Sequence, residues 1–348
     1  MINLLSQADQ ALGRLDGSIR TLPDADIFVL MYVRKEAVLS SQIEGTQSSL
    51  DDLLEAEAKI YRPERPKDVN EVINYIKALN YGLERLKDLP VSVRLIREIH
   101  KILLEGVRGS EHQPGEIRSS QNWIGPAGCT LNEATFVPPP PHEVPSALSD
   151  WERFLHEEDD LPILIKIGIA HAQFETIHPF LDGNGRIGRL LITFLLCERK
   201  ILQKPVLYIS YYFKRYREQY YDSLQNIRDK GDWENWLKFF LKAVAEVAEA
   251  ATLTARKIVD LREKHREIIT ANFGRSVGNA LKVLEHLYSH PLINVNTVRK
   301  ITGTSFTAAN ELVQRFVEAK ILQEITGRAR NRKFKYSDYI NIFKDAVE

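Results

Sequence analysis

Residues 178–189 read His178-Pro179-Phe180-Leu181-Asp182-Gly183-Asn184-Gly185-Arg186-Ile187-Gly188-Arg189, and the rest of the chain is interpreted around them. Apolar residues dominate the segments on either side, 161–177 and 190–197, which predicts a tight turn held between two buried helices. Pro179 disfavours the α conformation at the residue before it, so the first helix is expected to stop near His178. An imidazole at that helix end is free to act as a base.

Glycines at 183 and 185 favour left-handed backbone conformations, in which successive N–H groups form a concave nest for an anion. The helix that follows adds unpaired N–H groups and the positive end of its dipole, with Arg186 and Arg189 on one side of its first turn. Asp182 suits a polyphosphate that carries Mg²⁺, because this cation is often bound by one or two carboxylates plus substrate oxygens. Each feature alone is typical of an ordinary surface turn. Together they indicate a phosphate site beside a base.

These residues match without a gap the motif His-x-Phe-x-Asp/Glu-Gly-Asn-Gly-Arg-x-x-Arg, and on this motif the chain resembles the Fic family. The resemblance implies an all-α fold, with a helical Fic core and a short β-hairpin flap. It also implies a nucleotidyltransferase that moves AMP from ATP to a Ser, Thr or Tyr hydroxyl of a target protein, with Mg²⁺ bound to the phosphates.

The resemblance carries roles over to individual residues. His178 would be the base, and Asp182 would hold Mg²⁺. The nucleotide-binding residues would be Gly183, Asn184, Gly185, Arg186, Ile187, Gly188 and Arg189. Within this set, Arg186 would pair with the β- and γ-phosphate region and Arg189 with the γ-phosphate.

A second motif lies near the N-terminus. Residues 27–57 have a helical pattern that breaks at Gly45, just after Ser40 and Glu44, which are four apart and so share one helix face. An exposed helix end is the ordinary interpretation of such a pair. The stretch 40–45 nevertheless resembles the Ser/Thr-x-x-x-Glu-Gly/Asn signature of the family's inhibitory helix. This implies that Glu44 pairs with Arg189, that Ser40 steadies the carboxylate, and that Glu44 also belongs to the nucleotide site.

After this break, Ser48 is expected to cap a helix over 50–59. His100, in a later helical segment, is expected to be structural. His171 has no further ligand in the sequence pattern to make a metal site.

Residues 106–141 contain scattered Gly, Pro, Ser and Asn between two short extended pieces, 121–124 and 134–137. The pattern predicts a hairpin or long loop. The resemblance implies a flap over 121–138 that binds the backbone of the target protein. A segment dense in tyrosine could supply the wall of an adenine site, and the resemblance to the family points to Tyr211 and Tyr221 for this role. Core packing is an equal alternative for either ring.

Composition describes a globular protein of 348 residues with 44% hydrophobic residues. Lys plus Arg equals Asp plus Glu at 47 each, so no net field attracts the chain to nucleic acid or membrane. Cys129 and Cys197 form neither a metal spacing nor a disulfide framework. The N-terminus has no signal pattern, and no apolar run is long enough to cross a membrane. We therefore expect a cytoplasmic protein with no membrane partner.

Three domains are expected: an N-terminal helical region with the inhibitory motif over 1–66, a Fic core over 67–272 and a winged-helix-like domain over 273–348. The last is predicted from helices at 277–289, 295–302 and 305–319 and from strands at 321–326 and 332–336. Its hairpin concentrates five basic residues, Arg328, Arg330, Arg332, Lys333 and Lys335. A nucleic-acid wing would place positive charge there, but the third helix offers few base-reading side chains beyond Asn310, Gln314 and Arg315.

Three alternatives stay open at this point. The same site could remove AMP from a modified protein, with Glu44 orienting water. The chain could instead be a DNA-binding regulator whose core senses nucleotide. Family members commonly dimerise, so a homodimer is a further expectation.

Overall fold

The computed structural model describes residues 1–20, 22, 25–60, 66–125, 128–327 and 330–345. Helices dominate the first 272 residues: α1 (Ile2–Arg20), α2 (Ala25–Ile43), α3 (Leu50–Glu57), α4 (Val69–Arg85), α5 (Val93–Leu103), α6 (Val144–His156), α7 (Ile163–Ile177), α8 (Asn184–Glu198), α9 (Ser210–Arg215), α10 (Arg217–Lys230) and α11 (Trp233–Asn272). Short 3₁₀ turns lie at Leu131–Glu133 and Gly274–Ser276. None of the helices in the described ranges is long and apolar enough to cross a bilayer.

The centre of the core is the antiparallel pair α7 and α8, joined by the loop that begins at His178. Helix α7 is buried on nearly every face, from Leu164 to Ile177, as its apolar sequence predicted. Trp236 of α11 and Trp151 of α6 close two of its sides, and their indole N–H groups donate to the carbonyls of Gly168 and Ala170 at 2.9 Å. The loop between α7 and α8 is therefore supported from several elements.

Helix α1 lies within the N-terminal helical region expected over 1–66, although no helix bounds were predicted for it. Its buried residues, Ala8, Ala11, Leu12, Leu15 and Ile19, recur at helical spacing and pack against α11. Small and polar residues between them hide this periodicity, so the sequence pattern does not indicate where the helix begins and ends.

The break after the inhibitory motif lies where the sequence placed it. Helix α2 ends at Ile43, and Gly45 has a φ of 94°. The predicted cap of α3 was wrong by one residue, because Ser49 rather than Ser48 accepts from the N–H of Asp52, and Asp52 returns a bond to the Ser49 N–H. Ser48 instead bonds to Asp68.

The C-terminal unit consists of α12 (Val277–Ser289), β1 (Leu292–Asn294), α13 (Val295–Thr302), α14 (Phe306–Glu318), β2 (Gln323–Glu324), β3 (Lys333–Lys335) and α15 (Ser337–Asp345). Its strands form an antiparallel sheet of order β1-β3-β2, in which Phe334 lies opposite Ile293 and Glu324. The helices and the hairpin follow the predicted order, while β1 and α15 are elements that the sequence did not predict. Three-residue strands are too short to give a period of two. A winged-helix-like domain stays a prediction.

The predicted wing turns part of its positive charge inward. Lys335 Nζ lies 2.7 Å from Asp51 Oδ1 in α3, Lys344 also pairs with Asp51, and Lys333 Nζ donates to the Ala58 carbonyl at 3.0 Å. Arg328 of the basic cluster lies outside the described residues. The C-terminal unit is thus bonded to the segment that directly follows the inhibitory motif.

Candidate active site

The loop after α7 begins with a strained residue. His178 caps α7 in a left-handed conformation with a φ of 49°, and Arg118 holds this turn from outside. The Arg118 Nε donates to the His178 carbonyl at 2.9 Å, and its backbone N–H donates to the Pro179 carbonyl at 3.0 Å. Arg118 is buried and also donates to the Pro139 carbonyl, so it joins the loop after α7 to the base of the predicted flap. Sequence reasoning missed this residue.

The imidazole of His178 is neutral at physiological pH. Burial lowers the pKa of His178 to about 4, against the opposing effect of its bond to the Glu175 carbonyl. Its Nδ1 lies 3.3 Å from that carbonyl oxygen, which can only accept. The proton is therefore on Nδ1, and Nε2 keeps a free lone pair for a proton.

The rest of the loop is closed by side-chain bonds. Asn184 accepts from the Phe180 N–H at 2.9 Å and donates to the Phe180 carbonyl at 2.8 Å, so its side chain shapes the loop while its N–H opens α8. Gly183, with a φ of 80°, supplies the left-handed turn that the sequence predicted.

His100 is structural, as expected, but it supports the site directly. Its ring stacks on Phe180 at 3.7 Å between centroids. Its Nδ1 accepts from the Gly115 N–H at 2.8 Å, so Nε2 carries the proton and donates to the Asp182 carbonyl at 2.9 Å. Burial lowers the pKa of His100 to about 4, which keeps this tautomer uncharged.

Two glycines of α8 admit carboxylates. A Cβ atom at Gly185 would lie 2.3 Å from Glu44 Oε1, and one at Gly188 would lie 2.2 Å from Glu175 Oε1. Any side chain at either position would displace the carboxylate. The first-turn N–H groups of α8 have no intrahelical partner by helix geometry, so they present an anion-binding end beside these carboxylates.

Arg189 is the more extensively bonded of the two motif arginines. Its Nη2 lies 2.7 Å from Glu44 Oε1, and it also donates to Ser40 through Nε at 2.8 Å and Nη2 at 3.0 Å. Burial would raise the pKa of the Glu44 carboxyl, but the charge and hydrogen bond of Arg189 outweigh it, and the net effect lowers that pKa. The contact implied by the second motif is present.

Arg186 is also almost fully buried. Its Nη1 lies 3.1 Å from Glu71 Oε2 in α4, and its Nη2 lies 3.5 Å from Asp182 Oδ1. Glu71 was missed by the sequence interpretation. Burial raises the pKa of Glu71, and the charges of Arg186 and Arg108 oppose that effect.

A cavity of about 530 Å³ lies between the segment that contains His178 and Arg189, the predicted flap and α10. Among its lining residues are His178, Glu44, Gly185, Arg189, Glu175, Trp123, Ile124, Phe136, Tyr220 and Tyr221. The flap has one antiparallel bridge, in which Ile124 and Phe136 exchange backbone bonds of 2.8 and 3.0 Å.

The two candidate tyrosines are placed differently. Tyr221 lines the cavity, and the residue is 38% exposed. The Tyr211 ring instead lies 5.7 Å from Lys35 Nζ, and its hydroxyl accepts from Arg215 at 3.0 Å. Ile187 and Gly188 are buried in α8, where the carbonyl of Gly188 bonds to His171 at 2.9 Å.

Glu175 is a second group that the sequence interpretation missed. It lines the cavity one turn before His178, is 6% exposed, and its Oε1 has no hydrogen-bond partner in the described part of the chain. Burial raises the pKa of Glu175 to about 7 against the charge of Arg189. A charged residue in the otherwise mainly apolar helix α7 is the sequence feature that could have indicated this site residue.

Fold and site together define a helical protein whose cavity is lined by a neutral histidine, the first turn of α8 and the buried Arg189, with the second buried arginine, Arg186, on the same helix. Two family profiles match the sequence, the Fic/DOC family N-terminal region over residues 2–84 and the Fic/DOC family over residues 90–196. The chain belongs to the Fic/DOC family.

Two relatives and one solved structure illustrate the similarity. A probable protein adenylyltransferase of Aquifex aeolicus is 31% identical over 208 residues, 58% of this chain and 57% of that protein. The protein adenylyltransferase fic-1 of Caenorhabditis elegans is 30% identical over 190 residues, 53% of this chain and 33% of that protein. The matched part of this chain thus spans 57% of the length of the first relative and 33% of the length of the second.

A crystal structure of a Fic family protein from Desulfovibrio desulfuricans superposes with a TM-score of 0.61 at 19% identity, over 96% of this chain and 95% of that one. At this identity the likeness shows the fold, and it confirms the helical Fic fold expected from the motif.

Proposed function

We propose that this protein is a protein adenylyltransferase, which transfers AMP from ATP to a Ser, Thr or Tyr hydroxyl of a target protein. The observation that carries the proposal is the joint lining of one cavity by neutral His178, Gly185 at the start of α8, and Arg189. The names of the relatives, protein adenylyltransferases, point to the same reaction.

In the proposed reaction, the triphosphate lies against the first turn of α8. The target hydroxyl attacks the α-phosphorus as the bond from that phosphorus to the bridging oxygen of the β-phosphate breaks. His178 Nε2 accepts the hydroxyl proton, and pyrophosphate leaves with the electron pair of the broken bond. Arg186 and Arg189 neutralise charge on the phosphates, so catalysis rests on positioning and electrostatics.

Asp182 would hold Mg²⁺. Its carboxylate is one third exposed, and the described residues contain no cluster of three metal-ligating side chains. A single accessible carboxylate beside a phosphate site suits Mg²⁺ that shares its ligands with a nucleotide. When bound, this cation would offset phosphate charge, and the protein would contribute only the carboxylate.

We propose that Glu44 inhibits the transfer. Its carboxylate pairs with Arg189, the residue expected to bind the γ-phosphate, so carboxylate and phosphate compete for one guanidinium. With Arg189 occupied, ATP would bind with its α-phosphate misaligned for attack. The bonds from Ser40 to Arg189 support this arrangement.

The flap over 121–138 is proposed to hold the target by main-chain pairing. Its bridge at Ile124 and Phe136 is short, and Trp123 and Val137 are exposed at 42% and 46%. Strand addition of this kind binds a backbone without reading side chains, which suits a cavity that accepts a hydroxyl residue. Assembly as a homodimer and a cytoplasmic location stay predictions from the sequence.

Of the alternatives, DNA binding has less support than transfer. Lys333 and Lys335 are bonded to the end of α3 and to Asp51, and Arg332 donates to Asn310 at 2.7 Å, so much of the predicted wing charge is engaged within the chain. Removal of AMP remains the alternative at the same site, because Glu44 lines the cavity with His178.

The test is intact-protein mass after incubation with ATP and Mg²⁺, using self-modification as the first available target. Wild type, Glu44→Gly and the double variant Glu44→Gly with His178→Ala are compared. We expect an added AMP in Glu44→Gly alone. An adduct of equal extent in the double variant would remove His178 as the base. Loss of a preformed AMP adduct that requires Glu44 would instead favour the removal reaction.

A further inference from the structure

The turn Gly106-Val107-Arg108-Gly109 approaches the phosphate site from a side that neither sequence motif covers. Gly106 and Gly109 have φ values of 64° and 87°, and Asn74 of α4 donates to the Glu105 carbonyl at 2.7 Å where the turn begins. A Cβ atom at Gly109 would lie 2.3 Å from Asp182 Oδ2. The turn is therefore in direct contact with the carboxylate proposed to hold Mg²⁺.

Arg108 projects from this turn into the charged network. Its Nη2 lies 3.4 Å from Glu71 Oε2, the same oxygen atom that accepts from Arg186 at 3.1 Å. Its Nη2 also lies 3.4 Å from the Glu44 carbonyl oxygen, at the end of the inhibitory helix. The Arg108 side chain is 55% exposed, whereas that of Arg186 is 1% exposed. Arg108 is thus held by two long contacts and is able to move.

The local charge balance favours a further anion. One carboxylate oxygen of Glu71 accepts from the guanidinium groups of both Arg108 and Arg186, so these three side chains together carry a net positive charge. Arg108 and Arg186 share Glu71, Arg186 also pairs with Asp182, and Arg189 pairs with Glu44. Once Glu44 withdraws, Arg189 loses its carboxylate partner, while Glu71 still serves both Arg108 and Arg186.

We propose that Arg108 is an additional nucleotide-binding residue, which contacts the β–γ end of the triphosphate when Glu44 has left Arg189. This inference rests on the proposed nucleotide site. Glu71 is the positioning residue that orients Arg186 and keeps Arg108 beside the site. The ligand group is a pyrophosphate, either as part of ATP or as the leaving group, and a nucleoside monophosphate has no oxygen that reaches this position.

The experiment measures binding without turnover. In the full chain carrying Glu44→Gly and His178→Ala, affinities for ATP, inorganic pyrophosphate and AMP are measured by calorimetry with and without Arg108→Ala. We expect the dissociation constants for ATP and pyrophosphate to rise at least about tenfold, the loss of one charge-assisted hydrogen bond, while that for AMP changes less than about twofold. Arg108→Lys should recover part of the loss.

The matched control is Arg94→Ala, which removes an exposed arginine, 69% exposed, that pairs with Glu98 on α5. It should leave all three affinities unchanged. If Arg108→Ala weakens the binding of ATP and of AMP equally, the turn is only structural and the proposal fails. An unchanged affinity for ATP would also overturn the proposal. If the parent variant binds no ATP, the proposed function itself fails, which is a different result from either.

Discussion

The most informative perturbation of this protein is Glu44→Gly. Helix α2 ends at Ile43, so the substitution lies beyond the last helical residue and costs little helix stability. It removes the oxygen that lies 2.7 Å from Arg189 Nη2 and leaves both bonds between Arg189 and Ser40 in place. Arg189 should therefore keep its position and lose only the competing anion.

The expected size follows from that one contact. A hydrogen bond between charged groups contributes about 1.5–3 kcal/mol, and this pair is largely buried, with Arg189 1% and Glu44 31% exposed. If this energy holds Arg189 in the occupied state, the free state is populated at roughly 1–8% in the wild type. Glu44→Gly should then raise the initial rate of AMP transfer about 10- to 150-fold.

The assay is the initial rate of label incorporation from ATP labelled at the α-phosphate, at saturating ATP and Mg²⁺. The matched control is Glu57→Gln, because Glu57 pairs with Arg34 at 2.9 Å with similar burial and joins α3 to α2. It weakens the same segment without touching Arg189, so its rate should equal that of the wild type.

Two results would refute the reasoning. Equal rates for wild type and Glu44→Gly, with ATP binding demonstrated in both, would show that Glu44 does not limit transfer. Equal stimulation by Glu57→Gln would show that general loosening of the N-terminal segment, rather than release of Arg189, controls activity.

Three further predictions concern groups that support the site. Glu175→Gln should raise the melting temperature more at pH 8 than at pH 5. Burial raises the folded-state pKa of Glu175 to about 7, so the carboxylate must ionise in a buried place as the pH rises from the unfolded-state pKa through 7. Over this range the wild type loses at most about 3 kcal/mol of its free energy of unfolding, and the neutral glutamine does not. A pH-independent difference between the melting curves would contradict this assignment. Asp51→Ala removes the carboxylate of α3 that pairs with Lys335 and Lys344. The free energy of unfolding, measured by chemical denaturation, should fall by about 1 kcal/mol, because these ion pairs are partly screened by solvent. An unchanged midpoint would mean that the pairs contribute nothing. His100→Ala should weaken ATP binding in calorimetry about tenfold, because the loop loses its stacking partner and the bond to the Asp182 carbonyl; unchanged affinity would show that the loop holds its shape without the imidazole.

The loop at His178 was predictable because its determinants are local. Pro179 ends a helix at the residue before it, glycine permits the left-handed turn at Gly183, and the N–H groups of a first helical turn are unpaired in any helix. These rules depend on neighbouring residues only. The end of α7 at Ile177 and the left-handed turn at Gly183 accordingly match the sequence interpretation, whereas the left-handed conformation expected at Gly185 is wrong, because α8 already begins at Asn184.

The supporting residues were not predictable in the same way. Arg118, Glu71 and Arg108 belong to no motif, and their partners lie far along the chain: Arg186 and Glu71 are separated by 115 positions. Each is an ordinary charged residue in its own sequence context. Only burial against a particular partner gives it a role.

The basic hairpin is a second case in which the sequence did not predict the contacts of charged residues. Its charges are visible in the sequence, and a cluster of that kind commonly faces a solvent-exposed partner. The fold brings Lys335 to Asp51, 284 positions earlier, and Lys333 to the carbonyl at the end of α3. A count of charges gives their number but not the direction in which they point.

Local sequence rules were sufficient to predict the helical fold class, the turn that presents His178 and the anion-binding end of α8, because short-range sterics and unpaired backbone groups govern these features. Tertiary structure alone decided which charges meet. Glu44 reaches Arg189 across 145 positions because Gly185 leaves room for its carboxylate, and Glu71 reaches Arg186 because α4 packs against α8. Contacts of this kind depend on how helices pack, and a linear pattern does not contain that information.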